Sequence, residues 1–202
     1  MSASRIVLLR HGQTDFNMQR RFQGRIDKPL NDAGRSQAAG AAGVLVSRLC
    51  EPSAEVGMIA AETHRSYDDG GVRIVCSPLG RARETARILA RVFDIAGYPC
   101  EGPMPDERLT ERFYGTFEGK TYEEIAREQP EAYRVYRETG ECAGAEVERS
   151  EVVGERFRDA VLEAAAACPA DRSLIVVSHG SAIARGIVSL LSLDPSDFNG
   201  LR

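Results

Sequence analysis

Residues 5–12 read Arg5-Ile6-Val7-Leu8-Leu9-Arg10-His11-Gly12, a short apolar run that ends in a cation, an imidazole and a glycine. So brief a run of β-branched and aliphatic residues predicts a strand, and the polar residues after it predict where the strand stops. The same arrangement returns twice. Val72 to Cys76 leads into Ser77-Pro78-Leu79-Gly80-Arg81, and Ser173 to Val177 leads into Ser178-His179-Gly180; each then gives way to a helical pattern. Strands alternating with helices predict an α/β fold, a three-layer sandwich with a mostly parallel central sheet flanked by helices. Ligands of such sheets bind beyond the carboxyl ends of the strands, so a site is expected at those three turns.

The helix predicted after Val72 to Cys76 places Ala82, Ala86, Leu89 and Phe93 on one face. Arg83, Arg87 and Arg91 form the opposite stripe, which reads as solvated surface. Further helices are expected at 35–49, at 152–167 before Pro169, and at 183–191. Thr121 and Glu124 resemble a capping box for a short helix that Pro130 should stop. Glu51 to Gly71, polar and rich in Gly and Asp, reads as a loop insertion within one domain spanning residues 1–202.

A chain of 202 residues with 43% hydrophobic and 28% charged side chains has the makeup of one globular domain with a real core. Its 26 Lys and Arg against 30 Asp and Glu give a net charge of −4, which argues against nucleic acid or an anionic membrane as principal partner. Five cysteines without a C-x-x-C suggest neither a disulfide framework nor a zinc knuckle, and fit reduced thiols in a cytoplasm. Ile6 to Leu9 is too short for a signal peptide, and the apolar stretch from Ser173 to Leu191 is broken by His179, Gly180 and Arg185, which disfavours a membrane span. Self-association into a homo-oligomer stays open.

Two of the three histidines lie at the strand ends. Taken singly, Arg10 reads as a surface ion-pair partner and His179 as a core histidine. Taken together, Arg10, His11, Arg81 and His179 on one rim make a cationic pocket that is costly unless an anion fills it, and a phosphate suits the planar guanidinium forks. Gly12 and Gly180 are expected to let the backbone approach that ligand closely.

Five ordered motifs carry a family resemblance. Leu9-Arg10-His11-Gly12-Gln13-Thr14 with Asn17, the segment from Gln23-Gly24-Arg25 to Asn31-Asp32-Ala33-Gly34, Ser77-Pro78-Leu79-Gly80-Arg81 through Ala86, Leu109-Thr110-Glu111-Arg112-Phe113-Tyr114-Gly115 through Gly119, and Ser178-His179-Gly180 resemble the histidine phosphatase superfamily, which includes the cofactor-dependent phosphoglycerate mutases. By that resemblance His11 is the nucleophile that becomes phosphohistidine, Arg10, Arg81 and His179 bind the phosphoryl group, and Glu111 donates the proton. Asn17, the backbone around Gln23 and Gly24, and Gly180 match positions near the phosphate. Neither a cofactor nor a metal ion is called for, because guanidiniums can take the charge-neutralising place of Mg²⁺. The partner implied is a small phosphorylated substrate.

Arg20, Arg21, Arg25 and Lys28 follow the first motif and read equally as substrate-reading cations or as surface charge. The superfamily holds phosphatases and mutases. Only 68 positions separate Glu111 from His179, without the long Arg-containing insertion that the mutases resemble one another in having, so hydrolysis of a phosphomonoester is preferred. Phosphoglycerate mutase is the alternative within the family, Phe113 standing where mutases usually carry histidine. A catalytically silent phosphate-binding or regulatory module is the alternative outside it. The chain stops at Arg202 where related chains usually continue into another strand, so a C-terminal strand is expected to be missing.

Overall fold

A computed structural model describes residues 3–50, 70–141 and 143–194. In chain order the elements are β1 (Arg5–Arg10), α1 (Asp15–Met18), α2 (Asp32–Cys50), β2 (Val72–Cys76), α3 (Gly80–Ile95), β3 (Cys100–Pro105), α4 (Tyr122–Glu128), α5 (Pro130–Thr139), α6 (Ser150–Ala167), β4 (Ser173–Ser178) and α7 (Gly180–Leu190). The four strands form one sheet in the order β1-β4-β2-β3, and every pairing is parallel.

Side chains alternate across the sheet and so divide the core in two. Val7, Leu9, Ile74, Cys76, Ile175 and Val177 pack with Leu89 and Phe93 of α3 and with α2. Leu8, Val75, Leu174 and Val176 pack on the other face with Val153, Phe157 and Val161 of α6 and Ile183 of α7. All six residues of β4 are buried, which is why its sequence is a continuous apolar run with no polar face. The expected three-layer α/β sandwich is therefore the fold, and the predicted exposure of Arg83, Arg87 and Arg91 holds. A third, aromatic cluster of Phe22, Tyr114, Phe117 and Ile125 lies outside the sandwich and ties the loop after α1 to the segment before α4.

Several expectations need correction. β3 was absent from the sequence reading because Cys100-Glu101-Gly102-Pro103-Met104-Pro105 carries a glycine and two prolines; an edge strand tolerates them since half its ladder is unpaired. Pro130 does not simply end the helix before it. It is the first residue of α5, where a missing N–H costs nothing, and Gly140 in the left-handed conformation closes that helix. The capping box of Thr121 and Glu124 is present. α2, α6 and α7 each begin two or three residues before the expected start, because their first turns are small or polar residues that carry no apolar period. Residues 51–69 of the expected insertion, and the chain end where a further strand was expected, lie outside the described residues.

Candidate active site

β1, β4 and β2 are neighbours, so their carboxyl ends deliver Arg10-His11, Ser178-His179 and Ser77 to one rim. The His11 N–H donates to the Ser178 carbonyl at 2.9 Å, carrying the ladder one residue beyond β1 and fixing the backbone of His11. Its ring is only 7% exposed. Nδ1 lies 2.7 Å from the Gly12 carbonyl and Nε2 lies 3.2 Å from Nε of Arg81. A carbonyl can only accept and a guanidinium can only donate, so Nδ1 carries the proton and Nε2 carries the lone pair. Burial first, then the Arg81 charge, lowers the His11 pKa to about 3; the Gly12 carbonyl opposes this and Arg10 adds to it. The ring is neutral at physiological pH, with its lone pair on Nε2 facing Arg81.

Arg81, 1% exposed, stands in the first turn of α3. Its terminal nitrogens donate to the carbonyls of Gly24 at 2.7 Å and Ile26 at 3.0 Å. Burial lowers its pKa to about 10, with Glu111, Asp27 and Glu118 opposing, so it stays charged at neutral pH. Asp27 in turn accepts the Gly80 N–H at 2.8 Å and so caps α3, which has no side-chain cap of its own. His179 is fully buried, its ring centroid 5.0 Å from that of His11, and its Nε2 meets the Ser77 hydroxyl at 2.7 Å. Burial, then Arg81 and His11, hold its pKa well below the ordinary imidazole value. Arg10 is exposed at the rim.

The segment after α1 supplies the remaining predicted residues. Gln23 is buried, and its Oε1 accepts from the Thr14 hydroxyl at 2.8 Å. Gly24 takes a positive φ of 51°, and a Cβ there would run into the Glu118 carboxylate, so its backbone is tied to positioning Arg81. Asn17 forms a reciprocal capping box with Thr14 at the start of α1. Four buried side-chain atoms among the described residues have no partner, and two of them, Nε2 of Gln23 and Nδ1 of His179, belong to the predicted site.

The two glycines are packed differently. A Cβ on Gly12 would lie 2.2 Å from the Gly34 carbonyl oxygen, so Gly12 is needed where the His11 loop crosses the start of α2. A Cβ on Gly180 would meet Arg10 Nε at an ordinary 3.5 Å, so packing within the chain leaves room for a side chain there.

Glu111 lies beside the start of α7. Its Oε1 accepts the N–H groups of Arg112 at 2.8 Å and Ala182 at 3.0 Å, and Oε2 accepts that of Ser181 at 3.3 Å. It thus caps the helix that begins immediately after His179, where a carboxylate is also favoured by the helix dipole. Behind it, Arg156 of α6 donates to the carbonyls of Arg108, Thr110 and Glu111 and pairs with Glu148, holding the Glu111 loop to the sandwich.

Some functional positions had gone unassigned. Ser77 holds His179, and Thr85 accepts the Gly12 N–H at 3.1 Å while donating to the Arg81 carbonyl at 2.9 Å. Both stand inside the motif around Arg81, Thr85 one helical turn beyond it, a spacing that signals a shared face. Arg156 carries no such signal, because the three carbonyls it holds lie 45 to 48 positions away. Arg21 forks onto Glu124 at 2.6 and 3.2 Å and is structural, and Lys28 lies over the Phe16 ring. Among the described residues no group of three or more His, Cys, Asp or Glu side chains is placed to hold a metal ion.

Known proteins are similar to this chain over nearly its whole length. Glucosyl-3-phosphoglycerate phosphatase of Mycobacterium tuberculosis strain ATCC 25618 / H37Rv is 32% identical over 208 residues, spanning all of this chain and 81% of that protein. A probable phosphoglycerate mutase of Yersinia enterocolitica is 31% identical, over 98% of this chain and 79% of its own. Among solved structures, the mycobacterial glucosyl-3-phosphoglycerate phosphatase in complex with VO3 superposes with a TM-score of 0.75 at 33% identity, covering 98% of this chain and 89% of that one. Residues 6–52 and 55–202 match the model of the histidine phosphatase superfamily, branch 1, and the chain belongs to that superfamily.

Proposed function

We propose that the protein is a phosphomonoester hydrolase that works through a phosphohistidine at His11, on a small phosphorylated metabolite and without a metal ion. The observation that carries this is the pair of unpartnered buried polar atoms, Gln23 Nε2 and His179 Nδ1, beside a neutral histidine whose lone pair is oriented by Arg81. Gln23 Nε2 is a donor outright. In the tautomer whose Nε2 accepts from the Ser77 hydroxyl, Nδ1 of His179 carries a proton and becomes a second donor, and this is the tautomer the proposal requires. Leaving such groups unmade is costly, and a phosphate offers enough oxygens to satisfy both.

In the proposed sequence the phosphoryl group enters among Arg10, Arg81, Gln23 and His179. Nε of Arg81 leaves the His11 lone pair for a phosphate oxygen. His11 Nε2 then attacks phosphorus as the ester P–O bond breaks, and Glu111, which takes up a proton from the entering phosphomonoester monoanion, gives that proton to the departing oxygen. Glu111, now a carboxylate, takes a proton from water as that water attacks the phosphohistidine, which restores His11 and the acid and frees inorganic phosphate. Charge on the equatorial oxygens is met by fixed guanidiniums and N–H groups, the role that electrostatic preorganisation plays in phosphoryl transfer.

Hydrolysis is preferred to mutase chemistry because the 67 positions between Glu111 and His179 hold α4, α5, α6 and β4 with short connections and no longer insertion. The related mycobacterial phosphatase was solved with VO3, an oxyanion of phosphate-like shape. We place the protein in the cytoplasm on its free Cys76, Cys100 and Cys168. No helix among the described residues is long and apolar enough to cross a membrane. Phosphate release from a set of phosphomonoesters, run beside a mutase assay with and without 2,3-bisphosphoglycerate, tests the reading. Release without phosphoryl return to a sugar acid is expected, and absence of release from every ester would overturn it.

A further inference from the structure

Beside the site opens a cleft of about 530 Å³, within the range that small-molecule ligands occupy. Its walls come from the three segments that carry the site: Arg25 lies between the two residues whose carbonyls hold Arg81, Leu79 precedes Arg81 by two, and Thr110 precedes Glu111. The cleft adjoins the Glu111 loop through Thr110 and the Arg81 motif through Leu79, so an ester whose phosphoryl group sits on His11 and whose leaving oxygen faces Glu111 can direct the rest of its leaving group here. Three guanidiniums line the cleft, and they are not equivalent. Arg156 spends its donors on Glu148 and on the carbonyls of Arg108, Thr110 and Glu111. Arg108 spends its own on Asp106 and Glu163.

Arg25 is different. Among the described residues its one ion pair uses a single nitrogen, 3.2 Å from Glu148, and its side chain is 47% exposed. Glu148 is already paired with Arg156 at 3.0 Å, so two guanidiniums share one carboxylate, and the remaining Arg25 guanidinium donors make no ion pair among the described residues. The group is also held in place. The Glu118 carboxylate accepts the Arg25 N–H at 2.9 Å, and the guanidinium lies over the Phe113 ring, 5.6 Å from its centroid. A cation with spare planar donors, fixed before binding, at the mouth of the leaving-group cleft suits a carboxylate. Glu107, exposed on the same cleft, carries the opposite charge and suits hydroxyl donors.

We propose that Arg25 is a specificity-determining residue, selecting phosphomonoesters whose hydroxylated leaving group bears a carboxylate. The inference rests on the phosphatase reading and deepens it. The test compares kcat/KM for 3-phosphoglycerate and for glycerol 3-phosphate, which differ in a carboxylate replaced by a hydroxymethyl group, in the wild type and in Arg25→Met, Arg25→Lys and Arg25→Glu. Because each ratio is taken within one protein preparation, partial misfolding of a variant cancels. The wild type is expected to favour the acid. Arg25→Met should lose that preference by about tenfold or more, Arg25→Lys should keep part of it, and Arg25→Glu should reverse it. A wild type without preference, or a ratio unmoved in Arg25→Met, would overturn this proposal while leaving the phosphatase reading intact. A wild type that hydrolyses neither these esters nor nitrophenyl phosphate would instead overturn the phosphatase reading.

Discussion

Nε of Arg81 donates to Nε2 of His11 at 3.2 Å, so the cation proposed to grip the phosphate rests on the lone pair proposed to attack it. With Nδ1 bonded to the Gly12 carbonyl, one tautomer is selected from both sides of the ring. Nitrogen-detected NMR should therefore report a neutral His11 ring protonated at Nδ1 at pH 8, unchanged down to about pH 5, since its pKa is lowered to about 3. A His11 ring titrating near 6.5 would contradict the burial and charge argument.

The same two rings tie folding stability to pH. His11 and His179 are held neutral in the folded protein, whereas an unfolded chain protonates them near their ordinary value of 6.5. Below that pH the unfolded state binds more protons, so stability falls as the pH drops from about 6.5 toward 3. Urea midpoints should be level from pH 8 to pH 7 and decline between pH 6.5 and pH 5, before most carboxylates titrate; the loss accumulates to a few kcal/mol, on the order set by such shifts. A flat midpoint across that interval would mean the rings are not desolvated.

Gly12 gives a packing prediction. Because a Cβ there would lie 2.2 Å from a backbone carbonyl oxygen, Gly12→Ala forces two backbone segments apart. The expected cost is about 1–3 kcal/mol, the usual scale of overpacking, read as a lower melting temperature. Gly180→Ala, with an ordinary contact at 3.5 Å, should melt close to the wild type. Equal melting of the two variants would contradict the assignment of Gly12 to chain crossing.

Glu111 separates by choice of leaving group. An alkyl phosphate expels a strongly basic alkoxide, so Glu111→Gln should slow phosphoenzyme formation by about 10²–10⁴, the scale of a general acid. Nitrophenyl phosphate needs little protonation, so the same variant should give a burst followed by slow turnover in rapid-mixing experiments. Equal slowing for both esters would instead assign Glu111 to holding the start of α7, where it accepts the Ser181 and Ala182 N–H groups.

What could be read from the sequence was whatever sits at the end of an apolar run. β2 and β4 are buried and β1 is half-buried with an unbroken aliphatic run, so composition announces all three, and His11, Arg81 and His179 lie within a few residues of their ends. β3 escaped because its glycine and prolines suit an edge, and α5 because proline reads equally as a stop and as a first helical residue. The supports of the site were less legible. Arg112, 1% exposed, donates to the carbonyls of Gly140 and Glu148, 28 and 36 positions away, and Arg156 reaches as far back to the Glu111 loop. Such contacts are set by how the end of α5 and the start of α6 come back to the Glu111 loop, which no local period encodes. The loop arginines likewise looked alike until the structure separated Arg21, forked onto Glu124, from Arg25 on the cleft.

Metal independence follows from charge neutralisation by Arg10, Arg81 and the neutral donors. Turnover should survive EDTA, and vanadate or tungstate should compete with substrate, since each presents oxygens to the same donors. Loss of activity on chelation, rescued by Mg²⁺, would contradict the scheme.

The central claim is the covalent bond to His11, and quenching the enzyme during turnover of a labelled phosphomonoester tests it most directly. A phosphoramidate is acid-labile and base-stable, so the account predicts label with that behaviour on the peptide containing His11 and none in His11→Ala. Label that survives acid, label on another residue, or turnover at wild-type rate in His11→Ala would contradict it.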